Sequence, residues 1–118
     1  MVCLKWRNVW IAILAITLSA FAFAEDAYDA GQAAAAERRY DLALASFREA
    51  AGQGHRQAQI IAGGMLLYCG RLYGGEVPCD RIEAVKWLKL AAAQGSEMAR
   101  HLLQHAGTDK GSVTRTAP

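Results

Sequence analysis

After Glu25 the sequence lacks any sustained alternation of apolar and polar residues, so it carries no pattern for half-buried β-strands. A basic surface is missing as well. The 118 residues hold 13 Lys and Arg against 11 Asp and Glu. Lys5 and Arg7 precede Glu25 and every acidic residue stands at or after it, which leaves 11 charges of each sign from that point on. Nucleic-acid binding needs clustered positive charge to displace counterions from phosphates, and this balance excludes it. Common catalytic motifs are absent too. Ser46, Ser96 and Ser112 have no nucleophile-elbow setting, and the Gly-rich turn at Gly74 lacks the Lys and Ser/Thr of a phosphate loop. The carboxylates Glu76 and Asp80 read as loop solvation and helix capping.

What is present begins with a secretory signal. Lys5 and Arg7 are followed by an apolar run from Val9 to Phe23, broken only by Thr17 and Ser19, whose end Ala20-Phe21-Ala22-Phe23-Ala24 sets small residues at the two positions a signal peptidase accommodates, before the polar Glu25 and Asp26. The expected cleavage follows Ala24. Residues 1–24 would then be a signal peptide that meets the membrane only transiently, and the product would be periplasmic or secreted. An uncleaved anchor is the alternative, although the run is short for a bilayer span. No Cys follows Ala24 directly, which argues against a lipid anchor. Cleavage leaves 94 of the 118 residues, enough for one domain near the lower end of what a single core stabilises.

Ala-rich stretches at helical spacing predict an all-α fold over residues 25–106, with helices near 26–39, 41–53, 56–71, 80–94 and 96–105. Gly54 and Gly95 sit just past helix ends, where a left-handed residue is tolerated, and Asp41, Asp80 and Ser96 stand at or near starts, where side-chain oxygens cap free amides. Residues 107–118 are small, polar and aperiodic and read as a disordered tail. The sequence also repeats. At an offset of 41, Ala43–Gln59 lies over Ala84–Arg100 with six of 17 positions identical, including Ala-Ala-x-Gln-Gly at Ala50–Gly54 and Ala91–Gly95. Phe47 lies over Leu88 and Arg48 over Lys89. In the later copy Ala84, Val85, Leu88, Ala91 and Ala92 share one helix face. Small residues there let two helices approach, and Phe47 or Leu88 fills the space between. Such a hairpin stays partly uncovered until another stacks on it.

The stretch from Ala58 to Gly95 resembles the Sel-one-like repeat family, a relative of the tetratricopeptide repeats. The matching residues are Ala58, Gly63-Gly64, Tyr68, the turn at Gly74-Gly75 leading to Val77-Pro78, Asp80, Ala84, Trp87, Ala91-Ala92 and Gln94-Gly95. Gly31, Ala43, Phe47 and Ala50 upstream look like a plain tetratricopeptide hairpin. The segment from Ala58 to Asp80 is longer than the family pattern, and its turn reads Gly-Gly-Glu-Val. The resemblance implies two antiparallel helix hairpins of an α-solenoid plus a short C-terminal capping helix, and a non-catalytic scaffold or adaptor without a cofactor. Its partner would be another protein or peptide of the envelope. The implied surface is the inner face of the first and third helices, with Tyr28, Gln32, Gln59, Gly63, Leu66 and Leu67; packing of the two hairpins is the competing reading for these residues.

Two cysteines remain after Ala24. In an exported chain Cys69 and Cys79, at the two ends of the loop between the third and fourth helices, are expected to pair as a disulfide. His101 and His105 share a helix face and would offer two ligands to zinc. The segment lacks the Glu beside the first His that a metalloprotease helix carries, and no third ligand is placed. An enzyme or metal-binding protein using His101 and His105, or Cys69 and Cys79, is the alternative to the binding module. Trp87, the only Trp after Ala24, reads as a packing residue. The oligomeric state is left open, as is the possibility that the chain is a piece of a longer array.

Overall fold

In a computed structural model the chain is all-α. The structure describes the backbone of residues 2–113 and the side chains of residues 8–14 and 22–107, and among these it contains no strand. Five α-helices follow one another: α1 (Val2–Ala36), α2 (Tyr40–Gly52), α3 (Arg56–Leu72), α4 (Arg81–Ala93) and α5 (Glu97–Val113), with a 3-10 turn at Gly74–Glu76. Each packs on its neighbour in the chain.

The expected first helix is part of a longer one. Neither Gly nor Pro occurs between Val2 and Ala30, so nothing breaks the helix where the apolar run meets Glu25. Its described early side chains Val9, Trp10, Ile11, Ile13 and Leu14 are exposed, and α1 joins buried structure at Ala24 and Ala27. Among the described residues no helix is long and apolar enough to cross a membrane. At the other end α5 continues to Val113, past Gly107, where the sequence pattern predicts an aperiodic tail. Gly107 and Gly111 each cost the helix about 1 kcal/mol without ending it. Residues 114–118 of that expected tail lie outside the described ones.

Glycine sets the approach within each hairpin. A Cβ on Gly31 would lie 2.7 Å from the Phe47 ring, and one on Gly63 would lie 2.7 Å from Leu88 Cγ and 3.2 Å from the Ala84 carbonyl oxygen. In both hairpins, therefore, a large side chain of the second helix seats on a bare backbone position of the first. The main core adds Ala43, Leu44, Ala50, Ala51, Ala58, Ala62, Met65 and Leu66 to Phe47, while Leu88, Ala91 and Ala99 form a second cluster toward α5. Gly31 and Gly63 are 32 residues apart, whereas Phe47 and Leu88 are 41 apart. The later hairpin thus carries nine more residues than the first, in the longer end of α3 and the loop that follows it.

The two Ala-Ala-x-Gln-Gly ends adopt one geometry. Gly54 has φ +89° and Gly95 φ +88°. The Gly54 N–H donates to the Ala51 carbonyl (3.1 Å) and His55 N–H to Ala50 (3.1 Å); Gly95 N–H donates to Ala92 (2.9 Å) and Ser96 N–H to Ala91 (3.2 Å). This is a left-handed cap that satisfies two orphan carbonyls of the finished helix. The next helix is then capped in the same way, His55 Nδ1 accepting from Ala58 N–H (3.2 Å) and Ser96 Oγ from Ala99 N–H (3.1 Å). Asp80 caps α4 through Glu83 N–H (3.0 Å), whereas Asp41 lies in the first turn of α2, whose N-cap is Arg39. A Gly95→Ala chain is expected to lose about 1 kcal/mol, because a side chain disfavours positive φ. Urea denaturation should show a lower midpoint at unchanged slope.

Candidate interaction surface

The six residues of the expected groove divide by depth. Gln59, Gly63 and Leu66 are buried, Tyr28 and Leu67 are half-buried, and Gln32 is exposed. Gly63 receives Leu88, and Leu66 lies within the main core. Gln59 Nε2 donates to the Ala51 carbonyl (3.1 Å), while its Oε1 accepts from Gln94 Nε2 (2.8 Å), which lies 3.3 Å from the Gly54 carbonyl. A buried amide with both ends satisfied ties the ends of α2 and α4 to α3. These three side positions hold the hairpins together, and a partner reaches only Tyr28, Gln32 and Leu67 without opening the core.

Tyr28 and Gln32 belong to a polar edge near the start of the packed part of α1. Gln32 Nε2 donates to Tyr28 Oη (2.7 Å), and the Tyr28 ring stacks on His55 with centroids 4.4 Å apart while tilting against Phe47 at 5.8 Å. His55 Nε2 lies 3.3 Å from a Glu25 carboxylate oxygen. Stacked rings of this kind contribute about 1 kcal/mol beyond area burial, so Tyr28 anchors the first hairpin to the turn that begins α3.

No family model, curated protein or solved structure matches this chain.

The other sequence candidates fall into distinct settings. Cys69 and Cys79 stand at bonding distance with Cα atoms 5.2 Å apart, closing the loop between α3 and α4. Burial of Val77 and donation from Asp80 N–H to the Leu66 carbonyl (3.3 Å) fold the same loop back onto α3. Tyr73 at its start meets Tyr40 edge to face at 5.0 Å, joining the loops of the two hairpins. His101 and His105 are both exposed, with ring centroids 5.6 Å apart, and among the described residues no three His, Cys, Asp or Glu side chains converge as metal ligands. Trp87 is buried and donates from Nε1 to Glu83 Oε1 (3.0 Å).

One contact between hairpins has no signal in the spacing of either residue alone. Arg48 on α2 forms a two-point pair with Glu83 on α4, Nε to Oε1 at 2.7 Å and Nη2 to Oε2 at 2.6 Å. The planar guanidinium matches the carboxylate. The Arg48 hydrogen bonds hold the Glu83 carboxyl below its ordinary 4.5, although partial burial pushes it the other way, and the Trp87 N–H adds to the lowering. Because this value is depressed on folding, the pair's contribution is present above the ordinary carboxyl value and is lost as pH falls through the folded one. Glu83→Gln should lower stability at neutral pH by about 1 kcal/mol, a size set by the partial exposure of the pair. The gap between parent and variant should narrow as pH falls below the ordinary carboxyl value and close once the folded carboxyl is protonated, as read by urea denaturation across pH.

Proposed function

We propose that this chain is a non-catalytic protein-binding module of the Sel-one-like and tetratricopeptide type, a scaffold or adaptor of two helix hairpins exported to the bacterial periplasm or envelope after cleavage near Ala24. The observation that carries this reading is the repeated hairpin: the same left-handed turn, the same cap of the following helix, and the same seating of a large side chain on glycine occur twice. Tandem hairpins present extended surfaces made from side chains of successive helices, and they lend themselves to holding a segment of another protein. The signal layout at Lys5–Ala24 supports export, and the Cys69–Cys79 pair suits an oxidising compartment.

The test is site-specific photocrosslinking in intact cells with the probe at Gln32, the exposed member of the proposed inner surface. The expected result is one dominant adduct with an envelope protein, lost when Tyr28→Ala is added to a chain that still folds. Absence of any adduct from Gln32 or Leu67 in folded, exported protein would overturn the binding role, as would zinc or a free reactive Cys69 in the purified material.

A further inference from the structure

We infer that the groove between α4 and α5 docks an amphipathic helix of a partner protein, one that presents an apolar stripe and a carboxylate in its first turn. The inference rests on the binding role proposed above and adds a second, chemically defined surface to it. The groove measures about 920 Å³ and is lined by Ile82, Val85, Lys86, Lys89 and Leu90 of α4 and by Leu103 of α5, among others. Ile82 is 86 % exposed and Leu90 43 % exposed. Isolated exposed apolar side chains are ordinary, but a concave patch rimmed by charge marks an interaction site.

The internal repeat says what fits there. At the offset of 41, Leu44 corresponds to Val85 and Arg48 to Lys89. Leu44 is 2 % exposed within the main core, while Val85 is half-buried and lines the groove. Arg48 meets Glu83, which lies in the first turn of the next second-position helix, α4. Lys89 stands at the equivalent place on α4, with no ion-pair partner among the described residues. Likewise α5 begins as α3 does, with its cap at Ser96 matching that at His55. A helix entering the groove would therefore stand to α4 and α5 as α4 stands to α2 and α3, and its first turn would meet Lys89. Lys86, placed over the Trp87 ring at 4.7 Å, adds another cation to the same rim, and among the described residues no acidic one lines the groove. Its concave, helix-lined form favours a helix over a flat membrane surface.

The probe is a fluorescent peptide copying Asp80–Gln94, which carries the required stripe and the first-turn carboxylate of Glu83. It is titrated by anisotropy into the full chain and into Lys89→Glu, an exposed change whose folding is checked by thermal melt. Saturable binding is expected, weakened at least tenfold by Lys89→Glu, with recovery when the peptide itself carries Glu83→Lys. Absence of saturable binding, or affinity indifferent to Lys89→Glu, would overturn the inference. So would loss on Lys89→Glu of self-association in sedimentation, or of binding to phosphatidylglycerol vesicles, without any effect on the peptide; these results would assign the groove to a second copy or to a membrane. The adduct from Gln32 keeps the two claims apart: if it persists while the peptide fails to bind, the groove alone is rejected, and if both fail, the binding role falls as well.

Discussion

Gly63→Val is expected to remove about 3 kcal/mol of stability, near the upper end of what overpacking a filled site costs. Small domains hold only about 5 kcal/mol at the lower end of the usual range, so the variant should be largely unfolded or strongly temperature-sensitive. The cause is local. Even a Cβ at this position would stand 2.7 Å from Leu88 Cγ and 3.2 Å from the Ala84 carbonyl oxygen, and backbone yields less easily than a side chain. To relieve the contact, α3 and α4 must separate, which opens both core clusters. Its neighbour is the control: a Cβ on Gly64 meets nothing within 4 Å, and Gly64→Ala in mid-helix should raise stability by up to about 1 kcal/mol. Urea denaturation followed by far-ultraviolet circular dichroism reads both. Opposite signs at adjacent glycines are the expected result; equal effects would mean that helix propensity, not close approach, governs the pair.

The second large effect belongs to the disulfide. Replacing Cys69 and Cys79 together with Ser releases a cross-link between residues ten apart in sequence, worth roughly 3 kcal/mol in the chain-entropy account. For a domain of this size that corresponds to a fall in Tm of about 10–20 °C. Reduction of the parent chain should produce the same fall, and the double variant should not respond to reductant at all. The loop from Tyr73 to Asp80 would loosen first, since Val77 burial and the Asp80–Leu66 hydrogen bond remain as its other ties to α3. A double variant that melts with the parent would show that those ties suffice.

Much of the fold was legible because it is written in local chemistry. Helical spacing, the glycines after Ala51 and Ala92, and the capping residues Asp80 and Ser96 each act within a few positions of themselves, and all three kinds of signal point to the elements observed. Boundaries were less legible where nothing local marks them: α1 runs through Ala24 for want of a breaker, and α5 passes Gly107 because one glycine is a weak stop. The surface was read least well. Gln59 looks like a polar residue on a groove, but its amide is consumed by Ala51 and Gln94, and a side chain's partner across 35 residues is not encoded in its own neighbourhood. The Arg48–Glu83 pair escaped for the same reason, although the alignment of Arg48 with Lys89 was visible in the repeat. His101, which the same offset sets over half-buried Ile60, is exposed.

Duplication of a glycine-seated hairpin is the claim from which the rest follows, and nuclear Overhauser contacts in the full chain test it most directly. Two sets of cross-peaks are predicted together: Gly31 Hα with the Phe47 ring protons, and Gly63 Hα with the Leu88 methyls. Finding the first set without the second, in folded protein with an intact Cys69–Cys79 bond, would contradict the account.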